Sequence, residues 1–198
     1  MVSIQDEGRE ALQKLMKEAE KYASFQMNGP GQCPPILLID GVEGMGLLRP
    51  RRFSSEEAKD AFAIVARLTC TAHGATAAVF VSEAWMRCAE DGKRLDLSTP
   101  PSQAPDRREA VVLMGETRSG VFQKFLPILR YGNGKFKGFG EAPEVPADHV
   151  VGRFAQFLSP EVPTEEQRRE ARMLLNMNGI EPEKNHFERR SRQRGRHF

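Results

Sequence analysis

The sequence is poor in the residues that build disulfide frameworks and metal centres. Only three cysteines, Cys33, Cys70 and Cys88, occur in 198 residues, and no CxxC pair is present. An odd number of widely spaced cysteines excludes a disulfide framework. The four histidines are scattered, whereas zinc ligands usually come in closely spaced pairs. The sequence therefore predicts no metal site and no cofactor.

Long apolar runs and a charge excess are missing as well. No stretch of about 18 apolar residues occurs, which excludes a membrane span. The first ten residues, MVSIQDEGRE, are charged and lack the apolar centre of a secretory signal. The 29 basic and 27 acidic side chains leave a net charge of only +2. We therefore expect a cytoplasmic protein that does not bind membranes.

The apolar material that is present suffices for one core. Hydrophobic residues make up 39% of the chain and charged residues 28%, which is the balance of a globular protein. At roughly 100–200 residues per domain, the length predicts one domain over residues 1–160, with an N-terminal helix over residues 6–25. A C-terminal helix is expected within residues 161–180. Residues 181–198 lack an apolar period and predict a flexible basic tail.

The order of the predicted elements favours antiparallel hairpins. After the first helix, a capped apolar pattern over residues 54–73 predicts a second helix. The regular strand–helix alternation of a parallel sheet is absent. We therefore expect an α+β fold with a mainly antiparallel sheet of about five to six strands and with helices packed on one face. The strand patterns cover residues 34–40, 45–50, 75–87, 109–116, 120–132 and 135–141.

Three local patterns refine this outline. The glycines of Gly41-Val42-Glu43-Gly44-Met45-Gly46 lack the GK[ST] of a phosphate loop, and Pro50 follows where a helix would have to begin. They predict a hairpin turn instead. Pro127 interrupts a strand pattern, which predicts an edge position or a bulge, and an exposed edge there is compatible with a homodimer. Residues 147–158 predict a short helix.

A polar cluster is expected where the strand 75–87 ends. Glu83 interrupts a pattern built for burial, and a buried carboxylate must be paired or protonated. If the strands 75–87 and 109–116 are antiparallel neighbours, the end of the first meets the beginning of the second. The residues brought together would be Glu83, Trp85, Arg87, Ser102, Gln103, Asp106, Arg107, Arg108, Glu109 and Arg130.

Two interpretations of this cluster stay open. In the first, Glu83, Asp106 and Glu109 serve a metal-assisted hydrolase or nuclease, in which Arg107 or Arg130 stabilises anionic charge. In the second, the segment 105–109 is a turn whose arginines pair with Glu83 and fix the register of the strands. The second interpretation favours a non-enzymatic accessory protein that binds an unidentified protein partner. Its candidate binding residues are Trp85, Ser102 and Arg108.

Several short motifs in this region resemble those of a set of uncharacterised proteins from bacteria, phages and mobile elements. The resemblance covers roughly residues 55–160. It implies an α+β domain and no particular mechanism. The motifs are Val81-Ser82-Glu83-Ala84-Trp85, Pro101-Ser102, Pro105-Asp106-Arg107-x-Glu109, Ile128-x-Arg130 and Gly152-Arg153-Phe154.

The C-terminal segment carries a dense positive charge. Arginine-rich ends bind phosphate backbones without sequence preference, so a weak, non-specific contact with nucleic acid is the third hypothesis. No aromatic residues alternate with the arginines to stack on bases. The candidate residues are Arg189, Arg190, Arg192, Arg194 and Arg196.

Overall fold

The described residues form a single α+β fold. The computed structural model describes residues 4–50, 53–87, 98–141, 154–180 and 183–184. The helices in these ranges are α1 (Ile4–Asn28), α2 (Glu56–Ala72) and α3 (Glu165–Met177). The strands are β1 (Ile36–Gly41), β2 (Gly44–Leu48), β3 (Ala75–Met86), β4 (Arg108–Thr117), β5 (Gly120–Arg130), β6 (Phe136–Phe139) and β7 (Glu183–Lys184).

All seven of these strands join one sheet in the order β6-β5-β4-β3-β1-β2-β7. Each neighbouring pair is antiparallel, so the predicted α+β fold with an antiparallel sheet is confirmed. The strand absent from the prediction is β7, in which Lys184 pairs with Gly46 and Glu183 with Leu47. These two residues belong to the segment predicted to be flexible, and residues 185–198 lie outside the described residues.

The helices cover both faces of the sheet, so the prediction that they pack on one face is wrong. Val79 and Val81 of β3 join α1 in one core cluster. Ala78 and Phe80 point the other way and join α2 in a second cluster. Because consecutive residues of a strand face opposite sides, a strand that is apolar at every position needs cover on both. We call the two sides the α1 face and the α2 face.

Helix α3 forms an outer layer on α2 and does not lie on the sheet itself. Ala171 and Leu175 of α3 pack against Ala72 of α2. Thr164 fixes the beginning of α3, because its hydroxyl accepts the N–H of Gln167 while the Gln167 side chain accepts the N–H of Thr164. None of the helices in the described ranges is both long and apolar enough to cross a lipid bilayer.

The glycine-rich segment 41–46 forms the predicted hairpin between β1 and β2. Gly44 lies at φ +87°, which a residue with a side chain rarely adopts. Gly41 is required for a different reason, because the hairpin touches the end of α2, where the N–H of Val42 donates to the carbonyl of His73 at 3.2 Å. A Cβ atom at position 41 would lie 2.5 Å from the carbonyl oxygen of His73. The segment is therefore a hairpin turn that packs closely against the end of α2.

Gly41→Ala should lower the free energy of unfolding by roughly 2 kcal/mol, because either the hairpin or the end of α2 must move. Urea denaturation followed by circular dichroism measures the loss. Gly120→Ala is the matched control, since a Cβ atom there meets no heavy atom within 4 Å, and it should change stability by less than about 0.5 kcal/mol. Equal effects of both substitutions would contradict the packing role of Gly41.

Candidate functional site

The predicted cluster depends on the pairing of β3 with β4, and the structure contains that pairing. Glu83 lies opposite Val111, Trp85 opposite Glu109, and Met86 opposite Arg108. Residues directly opposite each other in an antiparallel pair share a face. Val111 belongs to the α1 core cluster, so Glu83, Trp85 and Glu109 lie on the α1 face. The end of β3 and the beginning of β4 therefore meet as the sequence predicts.

Trp85 forms the centre of this surface. Its side chain is 41% exposed, and the guanidinium of Arg107 lies 4.6 Å from the centroid of its ring. An Arg–Trp stack of this kind contributes about 0.5–1 kcal/mol at an exposed site. Arg107 also donates to the carbonyl of Ser102 at 2.6 Å. Two contacts thus hold the guanidinium in one orientation over the indole.

Two ion pairs flank the Trp–Arg stack. Arg87 Nε lies 2.8 Å from Asp106 Oδ1, and Arg130 Nε lies 2.6 Å from Glu109 Oε2. Pairs that are this open to solvent add about 0–1 kcal/mol each to stability. They nevertheless fix the positions of the charges. We use the name Trp85 patch for Trp85, Arg87, Asp106, Arg107, Glu109 and Arg130.

Glu83 does not occupy the environment that the sequence predicts. It is exposed and not buried, because the last third of β3 extends beyond the cover of the helices. Its Oε1 accepts the backbone N–H of Cys33, whereas the sequence predicts Arg107, Arg108 or Arg130 as partners. Glu83 therefore anchors the loop between α1 and β1 to the end of β3.

The side chains of Arg108 and Ser102, the other two predicted binding residues, do not join the Trp85 patch. Arg108 lies opposite Met86 and is one position from Glu109, so its side chain starts on the α2 face. Ser102 is exposed and supplies its backbone carbonyl to Arg107. Of the three predicted binding residues, Trp85 is thus the one whose side chain belongs to the patch.

The arrangement of the acidic residues bears on the metal-assisted interpretation of the cluster. Asp106 pairs with Arg87, Glu109 pairs with Arg130, and Glu83 binds a backbone N–H. Across the described ranges, no group of three or more His, Cys, Asp or Glu side chains has the geometry to hold a metal ion. The geometry therefore gives no support to a site in which three carboxylates share one cation.

The surface around Trp85 contains only a small depression. A depression of about 130 Å³ lies between the strand ends. A wider cleft of about 550 Å³ lies at the opposite end of β3, beside Thr76 and Asp40, where Lys14 Nζ is 3.9 Å from Asp40 Oδ2. That cleft contains none of the residues of the predicted polar cluster, although Gly41 and Val42 of the glycine-rich hairpin line it. The residues lining the depression are Glu83, Ala84, Trp85, Glu109, Ala110 and Ile128.

Among the described residues, the buried carboxylate is that of Glu116, which the sequence analysis does not single out. Glu116 is 6% exposed and points to the α2 face opposite Ala78. It accepts the N–H of Phe157 at 2.8 Å and the N–H of Leu158 at 3.1 Å. Burial raises the pKa of Glu116, and these N–H donors and the charge of Arg67 oppose that rise.

Glu116 and Arg67 together hold the segment 154–158 against the sheet. Arg67 donates to the carbonyls of Gln156 at 3.0 Å and Ala155 at 3.2 Å. Within residues 154–158 the predicted helix is absent, and Gln156 has φ +60°. The carboxylate takes the N–H groups of Phe157 and Leu158, which a helix over residues 147–158 would instead bond to carbonyls four residues earlier. Residues 147–153 of that prediction lie outside the described ranges.

The described cysteines are poor nucleophiles. Cys33 and Cys70 are free and buried. Burial raises the pKa of Cys33 to about 12, and the negative charge of Glu83 makes a smaller contribution in the same direction. Burial likewise raises the pKa of the Cys70 thiol. Because the thiolate is the reactive form, neither side chain offers a nucleophile at neutral pH.

Replacing Arg107 should expose the indole of Trp85 to water. Since Trp85 is the only tryptophan, its emission reports on the patch directly. In Arg107→Ala we expect emission at longer wavelength and stronger quenching by acrylamide, with a loss of stability below about 1 kcal/mol. Arg108→Ala is the neighbouring control and should leave the emission unchanged. Identical spectra for the two variants would contradict the stacking.

The raised pKa of Glu116 predicts a pH-dependent contribution to stability. Above the ordinary value of 4.5, the unfolded chain releases a proton that the folded chain retains, so stability falls as pH rises through this window. The free energy of unfolding of the wild type minus that of Glu116→Gln should therefore shrink from about pH 4 to about pH 8. Urea titrations at several pH values measure it. A difference for Glu116→Gln that stays constant with pH would refute the assignment.

Comparison with known proteins adds no relative from which to borrow a function. No protein-family model, no curated protein and no solved structure matches this chain. The arginines between residues 189 and 196 lie outside the described residues, so nucleic-acid contact stays a prediction from the sequence. The conclusion about function therefore depends on the geometry of the site.

Proposed function

We propose that this protein is a non-enzymatic accessory protein that binds a protein partner through the Trp85 patch. The observation that carries the proposal is a half-exposed tryptophan with an arginine fixed across its ring. Tryptophan, tyrosine and arginine are the residues that dominate the binding energy of protein interfaces. The patch places two of these types in direct contact.

The rigidity of the patch supports binding. Arg107 is held by the ring of Trp85 and by the Ser102 carbonyl, and Arg130 is held by Glu109 and by the carbonyl of Gly134. Ordering a long side chain on association costs about 0.5–1.5 kcal/mol. Side chains that are already ordered avoid most of this cost, so they present a prepared surface.

The small volume of the depression beside Trp85 favours a protein partner over a small molecule. Sites for small molecules are clefts of roughly 300–1,000 Å³, whereas the depression beside Trp85 holds about 130 Å³. A surface with an apolar centre and charged margins suits a protein partner better, because such a partner can cover Ile128 and the indole together. The surrounding ion pairs would then form a polar rim.

The alternative hydrolase or nuclease requires Glu83, Asp106 and Glu109 to act on one substrate. Two of these carboxylates are neutralised by separate arginines, so neither is available as a base without breaking an ion pair. In the binding proposal, both ion pairs stay intact.

The cellular setting is part of the proposal. Free, buried thiols at Cys33 and Cys70 suit the reducing cytoplasm. The resemblance of the motifs around Trp85 to proteins of bacteria, phages and mobile elements suggests such an origin.

Trp85→Ala should abolish partner binding while leaving the fold intact. The test is affinity capture from the source cells, quantified by mass spectrometry, with wild-type and variant proteins as bait. We expect proteins that the wild type retains at least about tenfold better than Trp85→Ala, because a central tryptophan contributes more than about 1.4 kcal/mol. Titration of a purified candidate should then change the emission of Trp85.

The matched control is Phe25→Ala. Phe25 is 62% exposed and lies on α1, outside the patch, so its loss removes an exposed aromatic ring without touching Trp85. It should retain the same partners as the wild type. If Trp85→Ala and Phe25→Ala retain the same proteins in the same amounts, the proposal is refuted.

A further inference from the structure

Two charged residues beside Trp85 have no ion-pair partner among the described residues, and their charges are opposite. Glu83 is exposed, and its carboxylate accepts the backbone N–H of Cys33. Arg107 is exposed as well, and it contacts the indole of Trp85 and the backbone carbonyl of Ser102. Since none of these contacts is with an ion of opposite sign, each residue keeps its full charge.

The strand register places the two charges on opposite sides of the indole. Arg107 directly precedes β4, whose first residue lies opposite Met86, so Arg107 is located beyond the end of β3. Glu83 comes two residues before Trp85 and shares its strand face. The backbones of the two charged residues are therefore about four strand positions apart, which is roughly 13 Å.

The other charges of the Trp85 patch compensate one another. Arg87 pairs with Asp106 at 2.8 Å, and Arg130 pairs with Glu109 at 2.6 Å. An ion pair has little net charge to offer a partner. The surface therefore has one uncompensated negative end and one uncompensated positive end, with the indole between them.

The depression beside Trp85 lies at the negative end. Glu83, the indole and Ile128 contribute to its lining, and its volume is about 130 Å³. This volume corresponds to roughly four water molecules, which is the size of one long side chain. A lysine side chain suits such a lining, because its alkyl stem packs on apolar surface while its ammonium group reaches a carboxylate.

We infer that the protein partner presents a lysine side chain to the depression at Glu83 and a carboxylate to Arg107, with an apolar group over Trp85. The inference rests on the proposed function and names the chemistry of the partner. A partner that covers the indole removes water from both charges, and a charge buried without a counterion is costly. The partner must therefore supply both opposite charges, and their order along the surface fixes its orientation.

Three capped peptides test this charge pattern. In the extended peptide Lys-Thr-Leu-Thr-Glu the two charges are four positions apart and the leucine lies between them on the same face. Lys-Thr-Leu-Thr-Lys and Glu-Thr-Leu-Thr-Glu carry like charges at the same spacing. Because Trp85 is the only tryptophan, its emission reports the binding of each peptide to the full chain. At low ionic strength the mixed-charge peptide should bind at least about threefold more tightly than either other peptide.

Charge-reversed variants should change the preferred peptide. Glu83→Lys should bind the peptide with two glutamates best, and Arg107→Glu should bind the peptide with two lysines best. Glu83→Gln removes the charge but keeps an oxygen that accepts the N–H of Cys33, so it separates the charge from the anchoring of the loop before β1. It should bind the two glutamate-containing peptides about equally. Circular dichroism should show that each variant folds.

The control is Glu170→Lys, which makes the same change in net charge at an exposed position of α3 and should keep the preference of the wild type. In about 1 M salt the Debye length falls to about 3 Å, so the preferences should disappear. Wild-type emission that no peptide changes, or a preference that Glu83→Lys and Arg107→Glu leave unaltered, overturns the inference. Partner capture that still depends on Trp85 would then uphold the proposed function alone, whereas capture independent of Trp85 refutes that function whatever the peptides do.

Discussion

The pairing register of β3 with β4 is the constraint on which the site depends. The first two thirds of β3 are buried on both faces, by α1 on one side and by α2 on the other. The strand is longer than this cover, so Glu83 and Trp85 emerge from the core while still paired with Val111 and Glu109. A slip of one residue would move Trp85 to the α2 face and away from Glu109. The core thus positions the exposed patch through the backbone.

Environment, and not residue type, separates the roles of the acidic residues. Glu116 is enclosed and holds the N–H groups of Phe157 and Leu158, which fastens an irregular segment to the sheet. Glu83 is open to solvent and holds one N–H of the loop before β1. Glu109 neutralises Arg130. Each of these carboxylates therefore stabilises structure, and our proposal assigns recognition to the indole of Trp85 beside Glu109.

The sequence was informative where a pattern is local. Alternation within residues 75–87 predicted which side chains share a face, and the turns at the strand ends predicted an antiparallel sheet. The apolar character of both Val79 and Phe80 already signalled burial on two faces, and we had expected one. Burial of Glu83 was a wrong prediction because it depends on how far α1 reaches along β3. Glu116 was missed because its cover, residues 154–158, is distant in sequence and takes an irregular path that no periodicity predicts.

The central claim is most directly tested by nuclear Overhauser contacts between the α-protons of β3 and β4. Where paired residues do not exchange hydrogen bonds, their α-protons lie close together. In this register, such pairs are Glu83 with Val111 and Trp85 with Glu109. Strong contacts at both positions are the predicted result. Contacts of Glu83 with Ala110 or Val112 instead, or none across the strands, would contradict the register and with it the location of the Trp85 patch.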